Sequence, residues 1–256
     1  MTLPAVFVSH GAPDLPLRSG AATTFLKQLG QQFAKPKAIL VISAHWSTPS
    51  PLVSAASQPQ TIHDFSGFPD ALYQLTYPVA GAPELAERVV KLLADQGLNG
   101  QLHPSRGLDH GAWIPLMLAY PLADIPVTQL SIQYGLDPEQ HFRMGQALEP
   151  LRHEGVLILA SGGATHNLRA FIGDYHAAPP EWVQQFDDWL EGAIATGNLE
   201  TLLNYRHLAP YAVKNHPTDE HLLPLFVALG AGGDHRTRLH NSFTYGAFSM
   251  AAYTFA

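Results

Sequence analysis

Three stretches of the chain are continuously apolar, rich in β-branched residues, and followed closely by a histidine. They occupy residues 5–10, 38–46 and 156–166. Apolar runs without alternation are typical of strands buried on both faces, as in the parallel sheets of α/β proteins. We therefore predict that these strands form the centre of a sheet that is covered by helices.

Segments with apolar residues at helical spacing alternate with these strands. Such spacing predicts helices over residues 19–34, 82–97, 108–120, 137–152, 180–196 and 218–229. We predict two further strands, over residues 127–132 and 243–255. The Pro- and Ser-rich segment 47–59 indicates irregular chain or short edge strands. No repeat or linker interrupts the pattern. We expect one α/β domain over residues 1–256, with a central, largely parallel or mixed sheet flanked by helices on both faces.

A histidine follows each of the three buried strands, namely His10, His45 and His166. We place His45 just past the end of its strand. The carboxyl ends of parallel strands meet at one edge of an open α/β sheet, and ligands bind there. A single histidine in such a position is more often a hydrogen-bonded structural residue than a ligand. Three at equivalent strand ends predict a metal site.

Two further histidines lie at predicted helix starts. Thr218 is a plausible N-cap, which would place His221 in the first turn of the following helix. That position favours acidic side chains over a charged histidine, although a neutral imidazole that binds a cation removes the objection. A solvated helix start remains the alternative. His110, beside Asp109, either points into a pocket or belongs to a helix cap.

The remaining histidines that we considered have no convergent neighbour in the sequence. We predict that they lie in helices or polar loops as surface or structural residues: His103, His141, His153, His176, His207, His235 and His240.

The composition limits the possible partners. The charged fraction is only 14%, and the net charge of −7 with no Lys/Arg cluster argues against nucleic acid or an anionic membrane as partner. No apolar run is long enough to span a bilayer, and no leader precedes the first strand, so we expect a cytoplasmic protein. The sequence does not indicate an oligomeric state. Because the chain has no cysteine, nitrogen and oxygen must hold any metal.

Imidazoles with an oxygen donor and no thiolate suit either Zn(II) or non-haem Fe(II). Three protein ligands with open positions are typical of Fe(II) oxygenases. The same ligands could hold a hydrolytic zinc that activates water. The residue types do not separate these two possibilities.

Six motifs together carry a family resemblance that covers essentially the whole chain. They are Ser-His-Gly-Ala-Pro at 9–13, Ser-Ala-His-Trp at 43–46, Asp-Phe at 64–65 with Gly-Phe-Pro at 67–69, Leu-Asp-His-Gly-Ala-Trp at 108–113, Gly-Gly-Ala-Thr-His-Asn at 162–167, and Asn-His-Pro at 215–217 with Glu-His at 220–221. In this order they resemble the 4,5-DOPA extradiol dioxygenase family, within the class III, LigB-type extradiol ring-cleavage dioxygenases.

The resemblance implies roles for individual residues. It implies that His10, His45 and a group near residue 221 hold the metal, that His166 is an acid/base or a fourth ligand, and that His110 contacts substrate. Protocatechuate-type relatives use a glutamate as third ligand, whereas the DOPA-type branch uses histidine. Neighbours in a helix point about 100° apart, so only one of Glu220 and His221 can face the metal. We predict that it is His221.

The resemblance also implies the reaction, in which a DOPA-like catechol is opened with O₂ outside its two hydroxyl-bearing carbons. Fe(II) would support activity, and Zn(II) could occupy the site in a purified sample because such sites bind zinc more tightly. We predict pocket walls from Phe65, Phe68 and Trp113. Two alternatives remain open at this point: a zinc-dependent hydrolase with the same histidines, and a non-enzymatic metal- or peptide-binding relative.

Overall fold

A computed structural model of the chain describes residues 2–256. The strands are β1 (Ala5–Ser9), β2 (Ala38–Thr48), β3 (Leu52–Ser54), β4 (Gln101–His103), β5 (Val127–Gln133), β6 (Val156–Gly162), β7 (Arg236–His240), β8 (Phe243–Thr244), β9 (Phe248–Ser249) and β10 (Ala252–Phe255). The helices are α1 (Ala21–Leu29), α2 (Asp70–Tyr73), α3 (Pro83–Asp95), α4 (His110–Ala119), α5 (Pro138–Leu148), α6 (Pro150–His153), α7 (Glu181–Thr196), α8 (Leu199–Leu203), α9 (Tyr205–Leu208), α10 (Ala212–Asn215) and α11 (Leu223–Ala231). Short 3₁₀ turns occupy Leu15–Leu17 and Leu168–Ala170.

An 8-stranded mixed sheet organises the fold, in the order β4-β3-β5-β2-β6-β1-β10-β7. Its centre, β5-β2-β6-β1, is parallel. Antiparallel pairs join β3 to β5, β1 to β10 and β10 to β7. The short strands β8 and β9 form a separate hairpin. The predicted α/β class and mixed central sheet are therefore confirmed.

The two faces of the sheet pack against separate hydrophobic clusters. Along β2, Leu40 and Ile42 belong to the cluster that includes residues of α3, α5, α7 and α11. Ile39 and Val41 belong to the opposite cluster with residues of α1 and α4. Side chains of a strand alternate between faces, so a run that is apolar at every position is buried on both. None of the helices within residues 2–256 has the length and apolarity that crossing a bilayer requires.

The position of His45 corrects the sequence interpretation, because β2 continues past it to Thr48. Ser43 of β2 aligns with Ser131 of β5, and Ser47 then aligns with the very next residue, Ile132. Residues 44–46 therefore bulge out of the pairing. A bulge redirects side chains locally, and here it places His45 at the rim without ending the strand.

The C-terminal part differs more from the prediction. The predicted helix 218–229 begins only at Leu223. Thr218 does not cap it, because its hydroxyl donates to the Glu220 carboxylate instead. The predicted strand 243–255 is divided into β8, β9 and β10, since Tyr245 and Gly246 turn the chain with positive φ of 54° and 68°.

Smaller differences lie elsewhere in the chain. The predicted helix 137–152 is two helices, α5 and α6, and Pro150 opens the second. The edge strands β4 and β7 were not predicted. They contain His103 and His240, which we had expected in helices or loops.

Candidate metal centre and active site

A cavity of about 640 Å³ opens at the rim where the central parallel strands end. Its size is within the range of small-molecule binding sites. Five histidines from different segments line this cavity: His10, His45, His110, His166 and His221. The sheet therefore brings together side chains that lie far apart in the sequence.

Three of the five histidines converge on one point. The Nε2 atom of His45 lies 3.0 Å from Nε2 of His10 and 3.3 Å from Nε2 of His221. One nitrogen of each ring lies within 4.8 Å of the others, a spacing that can hold a metal ion. The structure thus brings together the three histidines that we predicted as metal ligands.

The other ring nitrogens fix the tautomers. The Ser161 hydroxyl donates to the Gly111 carbonyl at 2.5 Å, so its oxygen accepts the proton of His10 Nδ1 at 3.0 Å. His221 Nδ1 donates to the Glu220 carboxylate at 3.0 Å. Both rings therefore turn Nε2 lone pairs toward His45. One proton on His45 could satisfy only one of them, whereas a cation satisfies all the converging nitrogens, so the donor set fits a metal.

The cluster favours neutral imidazoles. Burial and the neighbouring imidazoles hold the pKa values of His10 and His221 well below the usual value. Burial, together with the charge of His110, lowers the pKa of His45 to about 4. Burial likewise lowers the pKa of His166 to about 4. Neutral imidazole is the form that binds a metal.

His110 and Asp64 form a second group beside the cluster. Asp64 Oδ1 accepts the backbone N–H of His110 at 2.9 Å and lies 3.0 Å from its Nδ1. Asp64 Oδ2 lies 3.6 Å from Nδ1 of His45. Burial alone would raise the pKa of Asp64, but its contacts with His110 outweigh burial and lower it to about 2. Asp64 is thus an ionised carboxylate between two cavity histidines.

His166 lies on the other side of His221. The two rings stack with centroids 3.4 Å apart. The nitrogen atoms of His166 group with Glu220 and His221, not with His10 and His45. His166 is therefore next to the three-histidine cluster but outside it.

A buried carboxylate holds the bulge that carries His45. Asp109 is completely buried and caps α4. It accepts hydrogen bonds from Ser43 Oγ at 2.6 Å, from Gln129 Nε2 at 2.6 Å and from Arg106 at 3.2 Å. Ser43 Oγ in turn accepts the backbone N–H of His45. Charge-assisted bonds of this kind fix β2, β5 and α4 relative to one another.

The turn before α11 positions His221 through different contacts. The backbone N–H of Gly163 donates to the His221 carbonyl at 2.8 Å, which ties the turn to the end of β6. Arg206 donates to the His216 carbonyl at 3.1 Å and to the Asp219 carboxylate. His221 is therefore held by tertiary contacts and not by a helix, so the 100° argument for choosing between it and Glu220 does not apply. Both residues line the cavity.

Gly111 packs directly against the metal-ligand candidates. A Cβ at this position would lie 2.5 Å from Ser43 Oγ, 2.9 Å from His45 Cδ2 and 3.2 Å from His10 Cε1. No side chain fits there without moving these rings. The first turn of α4 thus packs against the rings of His10 and His45.

Of the three residues that we predicted as pocket walls, Phe65 and Phe68 line the cavity and Trp113 does not. Trp113 is fully buried in the core, and its indole N–H donates to the Ile62 carbonyl at 3.0 Å. The sequence interpretation missed four further wall residues of the cavity, namely Leu168, Phe171, Tyr245 and Phe248. It also gave no role to Asp64, although the motif at 64–65 contained it.

Comparisons with known proteins agree over nearly the full chain. The model of a family described as the catalytic LigB subunit of aromatic ring-opening dioxygenase matches residues 4–256. A Beta vulgaris protein named 4,5-DOPA dioxygenase extradiol is 46% identical, over 97% of this chain and 95% of its own. An Escherichia coli (strain K12) protein of the same name is 41% identical, over 90% and 85%. The crystal structure of an uncharacterized Escherichia coli K12 protein, 33% identical, matches with a TM-score of 0.83 over 99% of this chain and 100% of that chain.

Proposed function

The chain belongs to the family of the catalytic LigB subunit of aromatic ring-opening dioxygenases, and we propose that it opens the ring of a DOPA-like catechol with O₂ at the histidine-lined cavity. LigB extradiol dioxygenases depend on a metal. The observation that best supports the proposal is the convergence of three Nε2 atoms, two of them on rings whose Nδ1 atoms already donate to oxygen.

We propose that His10, His45 and His221 hold the metal, and that Fe(II) supports activity. When bound, Fe(II) supplies a centre where catechol and O₂ meet and lowers the pKa of the catechol hydroxyls. Zn(II) can replace it in a purified sample, because N/O sites bind zinc more tightly than Fe(II). Glu220, which accepts from His221 Nδ1, would orient that ring.

We propose that His166 is the acid/base of the reaction. Burial lowers its pKa to about 4, so the ring is neutral near pH 7 and keeps a nitrogen lone pair that can accept a proton. A metal that lowers the pKa of the catechol hydroxyl would offset the weak basicity of this ring. The same ring can later return that proton to the ring-opened product. Its separation from His10 and His45 favours this role over that of a fourth ligand.

We assign the remaining cavity residues to substrate binding. His110 lies beside the cluster, with Asp64 close to its Nδ1, and would contact the catechol. Phe65 stands edge-on to His110, with ring centroids 5.6 Å apart, and packs against Phe68. Apolar walls of this kind suit an aromatic ring and exclude water from it.

The test is a catechol panel assayed with oxygen uptake after anaerobic loading with Fe(II). We expect a yellow ring-opened product that forms only when both Fe(II) and O₂ are present. The proposal is wrong if protein that elemental analysis shows to be iron-loaded consumes no O₂ with any catechol. Turnover without O₂ would favour the zinc hydrolase instead, and metal binding without any turnover would favour the non-enzymatic relative.

A further inference from the structure

One cationic side chain lines the cavity, and it pairs with a carboxylate that is not among those contacting the cluster histidines. Within residues 2–256, Arg18 is the only Lys or Arg among the lining residues. The formal negative charges in the lining are Asp14, Asp64 and Glu220. Asp64 and Glu220 contact the cluster histidines, whereas Asp14 contacts Arg18.

Two contacts hold the guanidinium of Arg18 in place, and a third fixes its partner Asp14. Its Nε donates to Asp14 Oδ2 at 2.7 Å. The Tyr245 hydroxyl donates to the same oxygen at 2.5 Å, so the buried Asp14 cannot turn away. The guanidinium carbon also lies 5.7 Å from the centre of the Tyr175 ring. Arginine that is fixed in this way loses little freedom when it binds a ligand.

The terminal nitrogens of Arg18 are available. The hydrogen bond that Arg18 donates to Asp14 uses Nε, which leaves the two NH₂ groups to face a ligand, and 47% of the side chain is exposed. These two nitrogens form a planar fork that matches both oxygens of a carboxylate. Because Asp14 offsets the charge of Arg18, attraction at long range is weak, and recognition comes from the directed N–H donors.

We propose that Arg18 binds a carboxylate on the ring substituent of the catechol, and so determines which substrates the cavity accepts. This inference rests on the proposed function, because it assumes that the two hydroxyls lie at the histidine cluster. An anionic substituent placed at the histidine cluster would be repelled by the carboxylates of Asp64 and Glu220. At Arg18 it is paired, so the ring enters in one orientation.

Two catechols that differ in the carboxylate test the inference: 3-(3,4-dihydroxyphenyl)propionate and 4-methylcatechol. The variant is Arg18→Gln, measured in Fe(II)-loaded protein for kcat and KM. Binding of the propionate is also measured without O₂, as a readout that does not depend on turnover. Arg169→Gln is the matched control, since Arg169 is exposed and does not line the cavity.

Loss of a charge-assisted pair predicts that Arg18→Gln raises KM and the anaerobic Kd for the propionate about tenfold or more, with kcat little changed. In Arg18→Gln, the values for 4-methylcatechol stay at the wild-type level. In Arg169→Gln, the values for both catechols stay at that level. Arg18→Lys recovers only part of the loss, because it keeps the charge without the fork.

Equal losses on both catechols, or no loss on either, would overturn the inference while the proposed function stands. Wild-type protein that is iron-loaded and opens neither catechol would instead count against the proposed function. The two failures are therefore distinguishable in one set of assays.

Discussion

The imidazole rings of His166 and His221 stack face to face, with centroids 3.4 Å apart and planes inclined by only 6°. His221 directs its Nε2 toward His45, while its Nδ1 donates to Glu220. His166 therefore covers one face of the His221 ring, but its own nitrogens do not converge with those of His10 and His45. A residue in this position can move a proton beside the centre.

Replacement of His166 by Ala or Gln is expected to leave metal binding intact and to reduce kcat. The three converging histidines remain, whereas general acid/base catalysis contributes about 10²- to 10⁴-fold to rate. Elemental analysis of the loaded variants, alongside oxygen uptake, measures the two effects separately. Loss of the metal together with activity would make His166 a ligand.

Replacement of His45 by Ala is expected to abolish metal retention. His45 is the one ring that contacts both other members of the cluster, at 3.0 and 3.3 Å. Metal content after dialysis measures the effect. His153→Ala is the control, because His153 is exposed on α6. A His45 variant that kept full metal content would contradict our assignment of the centre.

Gly111→Ala is expected to weaken metal binding even though it removes no ligand. The added methyl would overlap Ser43 Oγ and crowd His45 and His10, so these groups must shift. Titration of metal-free protein with Fe(II) under anaerobic conditions gives the change in Kd. The control is Gly192→Ala in α7, where a Cβ meets nothing within 4 Å and Ala favours the helix by up to about 1 kcal/mol. Unchanged affinity in the Gly111 variant would show that the ligands tolerate displacement.

His216 is expected to make the metal-free protein less stable in acid. Burial lowers its pKa from 6.5 to about 4, against a smaller raising effect from its Nε2 contact with the Ala164 carbonyl at 2.9 Å. In the unfolded chain His216 is protonated near pH 6.5, whereas in the folded protein it is protonated only near pH 4. The free energy of unfolding therefore falls as pH drops through this window, by about 3 kcal/mol from this group at 1.4 kcal/mol per pKa unit.

Denaturant unfolding at a series of pH values, with chelator present, measures this effect. His216→Gln keeps an amide N–H that can donate to Ala164 but does not titrate. Its stability should fall less steeply between pH 6.5 and 4 than that of the wild type. Parallel pH profiles for the two proteins would exclude His216 as the source.

The sequence predicted the sheet centre well, because β1, β2 and β6 each contain an unbroken apolar run, at residues 5–8, 38–42 and 156–160, whose side chains pack on both faces of the sheet. It also identified the five histidines of the cavity, because the sequence places three of them after apolar strands and two at the starts of predicted helices. These features depend on local patterns, which the sequence contains directly.

Features that depend on tertiary contacts were not predictable. The bulge at His45 arises from how β2 aligns with β5, and no local pattern encodes that alignment. The turn that carries His221 is fixed by Arg206, which is distant in sequence, so a plausible N-cap at Thr218 was misleading. Trp113 looked like a pocket wall because it is aromatic and close to His110, but it faces the core and donates to Ile62. Phe248 does line the cavity, but it follows the turn at Tyr245 and Gly246, inside the segment that we had predicted as a strand.

β1 has a consequence for how the protein is made, because it lies between β6 and β10 in the sheet. His10, which follows this strand, emerges from the ribosome long before its neighbours do. A nascent chain has to keep β1 unpaired until residues 156–162 arrive, and it cannot complete the cluster of His10, His45 and His221 until residue 221 has been synthesised. Pairing over such distances is slow, so maturation of the metalloenzyme is a late, essentially post-translational event.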